Sequence, residues 1–124
     1  RLAAESGHAA AQNSLGNAYL YGWSGRKDLD KAFKWHRLSA ENGDPHGQAN
    51  LGDHYSKGTV VPPNMEEASK WWQLSAAQGC PHAQFNLGEA YRFGEGVKED
   101  IDEAMKWYRL AADQGHNNAK LKFH

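Results

Sequence analysis

The sequence predicts an all-α solenoid built from antiparallel helix pairs. Three observations carry that prediction: a gapless 36-residue repeat, two helix-period stripes inside each repeat, and cap or turn residues between them. Shifting the sequence by 36 aligns Gln12, Leu15, Gly16, Tyr19 and Gly22 with Gln48, Leu51, Gly52, Tyr55 and Gly58, and then with Gln84, Leu87, Gly88, Tyr91 and Gly94. Ala32, Lys34, Trp35, Leu38, Ala40 and Gly43 recur as Ala68, Lys70, Trp71, Leu74, Ala76 and Gly79, and again as Ala104, Lys106, Trp107, Leu110, Ala112 and Gly115. Eleven of 36 columns are therefore identical in three copies. A random triple match at ordinary residue frequencies occurs in roughly 0.4 % of columns, so chance supplies well under one.

The elements follow in order. Residues 1–7 match the tail of a repeat, with Gly7 at the position that ends a second helix. Whole repeats occupy 8–43, 44–79 and 80–115, and residues 116–124 match the start of another. The two half repeats fit a segment of a longer array, all within one domain. In repeat one, Gln12, Leu15, Gly16 and Tyr19 fall at i, i+3, i+4 and i+7, which predicts helix A over roughly 9–21. Ala32, Trp35, Leu38 and Ser39 predict helix B over roughly 29–42 on the same spacing. Asp28, Asn64 and Asp100 stand where helix B needs an N-cap, and Asn64-x-x-Glu67 and Asp100-x-x-Glu103 have the spacing of capping boxes. Asp44-Pro45 supplies an N-cap and a proline at the first helical position for helix A of repeat two. Gly43, Gly79 and Gly115 sit where a left-handed residue closes helix B.

Gly16, Gly52 and Gly88 lie inside helix A, where each costs about 1 kcal/mol relative to Ala. A penalty that recurs three times predicts a neighbouring backbone or ring packed against each bare Cα. Trp35, Trp71 and Trp107 share a strict period with the Ala and Leu columns and are assigned to the inter-helix core. Lys34, Lys70 and Lys106 form a solvated row on the outer face of helix B.

Composition narrows the functions open to such a fold. The chain has 124 residues, 14 Lys+Arg, 15 Asp+Glu, seven His and one Cys. A net charge of −1 gives no electrostatic footprint for nucleic acid. No apolar run is long enough to insert in a membrane. One Cys closes no internal disulfide, and no Cys/His pair has zinc spacing. His46 and His82 share a column, which places them roughly 10 Å apart, too far to share one ion. Cys80, just before Pro81, is expected at the N-cap of helix A, without a base or carboxylate column to complete a catalytic set. No catalytic residue, cofactor or metal ligand is assigned.

In repeat three, Ala83, Leu87-Gly88, Tyr91 and Gly94 are followed by Gly96-Val97, Asp100, Ala104, Trp107-Tyr108, Ala111-Ala112 and Gly115. This series resembles the Sel1-like repeat, a relative of the tetratricopeptide repeat, and the resemblance extends over the whole chain. It implies a right-handed α–α superhelix. It also implies a scaffold or adaptor that binds protein or peptide, as in quality-control complexes of the endoplasmic reticulum and bacterial host-interaction proteins. Secreted members with regularly spaced Cys pairs are a poor match, since only Cys80 is present.

By analogy with tetratricopeptide arrays, helix A lines the concave side. The positions turned away from Leu15 and Tyr19 are then the candidate contacts: Asn13, Asn17, Leu20 and Tyr21; His46, Ala49, Asp53, Ser56 and Lys57; His82, Phe85, Glu89, Arg92 and Phe93. Aromatic anchors flanked by both signs of charge suit an extended protein segment. The alternative is a structural spacer or a segment that self-associates end to end, with no ligand of its own.

Overall fold

The computed structural model describes residues 2–23 and 25–123, with side chains from His8 onward. All regular structure among them is helical. Helix α1 spans Leu2–Tyr21, α2 Leu29–Glu41, α3 Pro45–Lys57, α4 Met65–Ala77, α5 Pro81–Phe93, α6 Ile101–Asp113 and α7 Asn117–Lys120, with a 3₁₀ turn over Leu121–Phe123. Each long helix packs chiefly on its neighbours in the chain, and α1 also touches α3. The result is a stack of helix pairs, α1/α2, α3/α4 and α5/α6, whose apolar stripes bury one another.

The A-to-B connection closes the same way in each repeat. Helix A ends on Gly22, Gly58 or Gly94, at φ of 68°, 67° and 66°, a left-handed geometry that favours glycine. The backbone N–H of Asp28, Asn64 and Asp100 then donates to the carbonyl of the invariant Tyr19, Tyr55 and Tyr91, at 3.0, 2.8 and 2.9 Å. The side chains of the same three residues accept from the N–H of Lys31, Glu67 and Glu103. All three are N-caps as expected. The capping boxes are only half formed, because the cap N–H that a glutamate would accept from is already held by the tyrosine carbonyl. Glu67 and Glu103 turn instead to Lys70 and Lys106, at 3.9 and 3.6 Å.

Successive repeats are stitched by an invariant glutamine. Gln48 and Gln84 Nε2 donate to the Ala40 and Ala76 carbonyls of the preceding helix B. Their Oε1 atoms accept from Gln78 and Gln114. Ser39 and Ser75 hydroxyls tie helix B to the Ala9 carbonyl within α1 and the Pro45 carbonyl at the start of α3.

The glycines inside helix A behave as expected. A Cβ on Gly16 would strike the His36 ring, one on Gly52 would lie 2.5 Å from the Trp72 indole, and one on Gly88 2.8 Å from the Tyr108 ring. The ring fills the notch that glycine leaves.

Three expectations need correction. Gly7 does not end a helix: α1 runs unbroken through it. The Ala-rich segment after it lacks the N1 proline that starts α3 and α5. Leu15 is 43 % exposed whereas Leu51 and Leu87 are fully buried, Leu51 against Phe33 and Ala40 of α2 and Leu87 against Trp72 and Ala76 of α4. The invariant Trp35, Trp71 and Trp107 are only half-buried. Trp71 and Trp107 do pack against the inter-helix clusters, but the deepest rings lie one residue later, at His36, Trp72 and Tyr108.

Candidate functional site

Helices α1, α3 and α5 are joined side by side by polar side chains. Asn50 Nδ2 on α3 donates to Asn13 Oδ1 at 2.8 Å and Asn17 Oδ1 at 3.3 Å on α1. One repeat further, Asn86 Nδ2 on α5 donates to Asp53 Oδ1 on α3 at 3.1 Å, and His82 Nε2 meets Asp53 Oδ2 at 2.7 Å. The three A helices therefore share one continuous polar face, and the candidate contacts lie on it or at its margins.

Beneath this face lies a second layer. In every repeat, the residue after the notch glycine caps the ring that fills the notch. Asn17 accepts from His36 Nε2 at 3.0 Å, Asp53 from Trp72 Nε1 at 3.1 Å, and Glu89 from the Tyr108 hydroxyl. Burial together with the Glu89 carboxylate drives the Tyr108 phenol well above its ordinary range, which keeps it a donor. Asn17, Asp53 and Glu89, assigned above as partner contacts, thus each hold a buried ring in place. Asp53 is the most committed of them, with Trp72, Asn86 and His82 all bonded to its carboxylate. Its hydrogen bond raises the His82 imidazole above the usual value, so the pair is charged over a wider pH range.

The candidate residues fall into two groups. Asn13, Asn17, Tyr21, His46 and His82 surround an open depression of about 350 Å³, with Asn50 on its floor. Lys57, exposed, stands beyond it beside Tyr21 at a smaller recess of about 80 Å³. Phe85, Glu89 and Arg92 lie toward the C-terminal end. There Phe85 stacks on His116 with centroids 4.6 Å apart, Glu89 pairs with Lys122 at 3.2 Å, and the Lys122 ammonium sits over the Tyr108 ring. Arg92 lies over Phe93, which is 57 % exposed at the helix end. Ala49 departs from expectation: it is buried in the cluster with Trp72 and Ala76, on the side of α3 that meets its neighbours.

Asn50, Asn86, His36 and His54 were not among the expected contacts. Asn50 and Asn86 share a column that holds Ser14 in repeat one, so strict identity passes over them. His36 and His54 occupy unrelated columns, yet their rings meet in the interior: His36 Nδ1 lies 2.9 Å from His54 Nε2. Cys80 is the N-cap of α5 without a side-chain cap bond, and it is buried in the apolar cluster. Among the described residues, no group of three or more His, Cys, Asp or Glu is arranged to hold a metal ion. No described helix is long and apolar enough to cross a membrane.

A family model for the Sel1 repeat matches residues 9–44, 45–80 and 81–116. The fold is also that of solved structures. A Sel1 repeat protein from Oxalobacter formigenes is 36% identical over 98% of this chain and 92% of its own, with a TM-score of 0.84. A protective antigen present in uropathogenic Escherichia coli strains, displaying an SLR fold, is 44% identical with the same TM-score of 0.84. The match covers 94% of this chain but only 25% of that one. Helicobacter pylori cysteine rich protein B, 23% identical over 74% of this chain and 69% of its own, shares the fold at a TM-score of 0.70. A search of curated proteins found no match.

Proposed function

We propose a function from the premise that this chain belongs to the Sel1 repeat family, whose members are generally protein-interaction scaffolds and typically non-catalytic. The chain is a binding module that takes a protein or peptide segment on the concave face formed by α1, α3 and α5. One observation carries this reading. The polar face is continuous across three repeats, yet apart from the shared His46/His82 column its outward residues change, as Tyr21, Lys57 and Phe93 in one column and Leu20, Ser56 and Arg92 in another. Tyr21, His46, Lys57, His82 and Arg92 are exposed there, whereas the glycine, glutamine and tyrosine columns that stitch the helices together are invariant. A fixed frame with variable outward residues gives position-by-position recognition of an extended segment.

Asn17, Asp53 and Glu89 act in this reading mainly by positioning, since their carbonyl or carboxylate oxygens are bound from within. Direct contact falls to Asn13, Tyr21, His46, Lys57, His82, Arg92 and Phe93, with Phe85 reached only at its rim. Photo-crosslinking tests the assignment. A crosslinker placed at His46, Lys57 or Arg92 should trap a protein partner, while one at Lys34, Lys70 or Lys106 on helix B should not. Equal labelling from both faces would overturn it.

A further inference from the structure

We propose that the buried His36–His54 pair is an acid-sensitive joint between the first two repeats, released when protons enter the hydrogen-bond chain that runs through both rings. The chain has a direction. Asn17 Oδ1 already accepts from Asn50 Nδ2, so it also accepts from His36, whose proton must sit on Nε2. His36 Nδ1 is then an acceptor and His54 Nε2 donates to it. His54 Nδ1 in turn accepts from the Thr59 hydroxyl at 2.8 Å. Both rings are neutral, both carry the proton on Nε2, and all four ring nitrogens are occupied.

A first added proton can be housed on His54 Nδ1 only if the Thr59 hydroxyl turns from donor to acceptor, and its charge is then shared with His36 through the bond between the two rings. A second has no acceptor left. Either charge would be buried, with His36 at 0 % and His54 at 4 % exposure. The surroundings offer little to offset it. From α1 come Asn17 and the bare Cα of Gly16, and no Asp, Glu, Lys or Arg lies between Asn13 and Tyr21. From α2 comes the Phe33 ring, edge-on to His54. On α3, Asp53 favours the proton but is engaged by Trp72, Asn86 and His82, and Lys57 opposes it. The recess of about 80 Å³ beside Tyr21, Lys57 and Thr59 has His54 in its wall and gives protons a way in.

Burial accordingly lowers both imidazoles, His36 from 6.5 to about 4. A histidine depressed in the folded state contributes stability that is complete above its unfolded value of 6.5 and is lost as pH falls toward 4. On His36 alone, the folding equilibrium weakens by a factor on the order of 30 at pH 5. The loss falls where the pair sits, on the packing of α1 and α2 against α3 and on the turn that Thr59 opens.

The next junction shows how the joint is built without a titrating group. There the equivalent positions hold Trp72 and Ala90, both buried, and the acceptor is Asp53. The triple variant Asn17→Asp, His36→Trp, His54→Ala transplants that arrangement into the first junction and leaves His82 and Asp53 in place.

Hydrogen-exchange protection factors at pH 7.5 and 5.0 test the proposal on the whole chain. In the native protein, protection in α1, α2 and residues 58–64 should fall tenfold or more on acidification while α5 and α6 change little. The triple variant should lose that difference. An equal fall in the variant, or an equal fall along the whole native chain, overturns the proposal. Imidazole ¹⁵N shifts of the native protein decide independently of any variant. Two neutral, Nε2-protonated rings at pH 6, with His36 titrating near 4, support it. A His36 ring already charged at pH 6 overturns it.

Discussion

At the scale of single residues, the molecule rests on a lock of three parts repeated three times: a glycine notch in helix A, a ring from helix B that fills it, and an acceptor that fixes the ring's polar edge. The rings differ (His36, Trp72, Tyr108) and so do the acceptors (Asn17, Asp53, Glu89), but each acceptor suits its donor. Gly52→Ala tests the lock. Helix propensity alone would gain about 1 kcal/mol. The new methyl, however, would lie 2.5 Å from the Trp72 indole and 3.1 Å from the Ala68 carbonyl. Overpacking costs about 1–3 kcal/mol, so chemical denaturation should show a net loss of stability and not the gain expected at an open helical site. The notch was legible in the sequence, because three interior glycines in one column demand a reason. The ring was not. Its column carries three different residues, so a search for identity stops one position short, at the half-buried tryptophans. The acceptors were hidden for a related reason: Asn, Asp and Glu on an outward-turned helix face read as solvated contacts until the donor beneath them is seen.

At the scale of helices, capping signals were read well and their partners less well. Asp28, Asn64 and Asp100 all cap helix B, and proline starts α3 and α5 where the sequence places it. The glutamate half of the capping box failed because a tertiary bond, from the cap N–H to the tyrosine carbonyl of helix A, occupies the donor first. Two substitutions separate the halves. Asn64→Ala removes the acceptor for the Glu67 N–H and should cost about 1 kcal/mol. Glu67→Ala removes only an exposed pair with Lys70 and should cost at most a few tenths. Equal losses in thermal unfolding would mean that the box forms in solution after all. The unbroken α1 was the element least visible in sequence, since a glycine alone does not stop a helix when no proline at a new first turn follows it.

At the scale of the whole array, what a residue contributes depends on which helices pack over it. Leu15, Leu51 and Leu87 are one column, yet only the last two are buried. Leu87→Ala should cost about 2–5 kcal/mol, whereas Leu15→Ala, at a position 43 % exposed, should cost well under 1. Urea denaturation of the two variants gives the comparison. A solenoid of this kind is stabilised by nearest-neighbour contacts, so local changes stay local. That property lets the joint at His36 and His54 loosen one end without dissolving the other.

The pairing across that joint also fixes the serial order of the modules. Each ring and its acceptor travel together inside one 36-residue unit, so cutting and rejoining whole units preserves them. His36 and His54 sit on opposite sides of a boundary, as do the equivalent buried positions Trp72 and Ala90. Excising residues 44–79 would set His36 against Ala90 and leave a void. Duplicating the same block would press Trp72 into the place of His36, against a second His54. Modules that look interchangeable by motif are therefore keyed to one another, and a designer shuffling them would have to recut both sides of every seam.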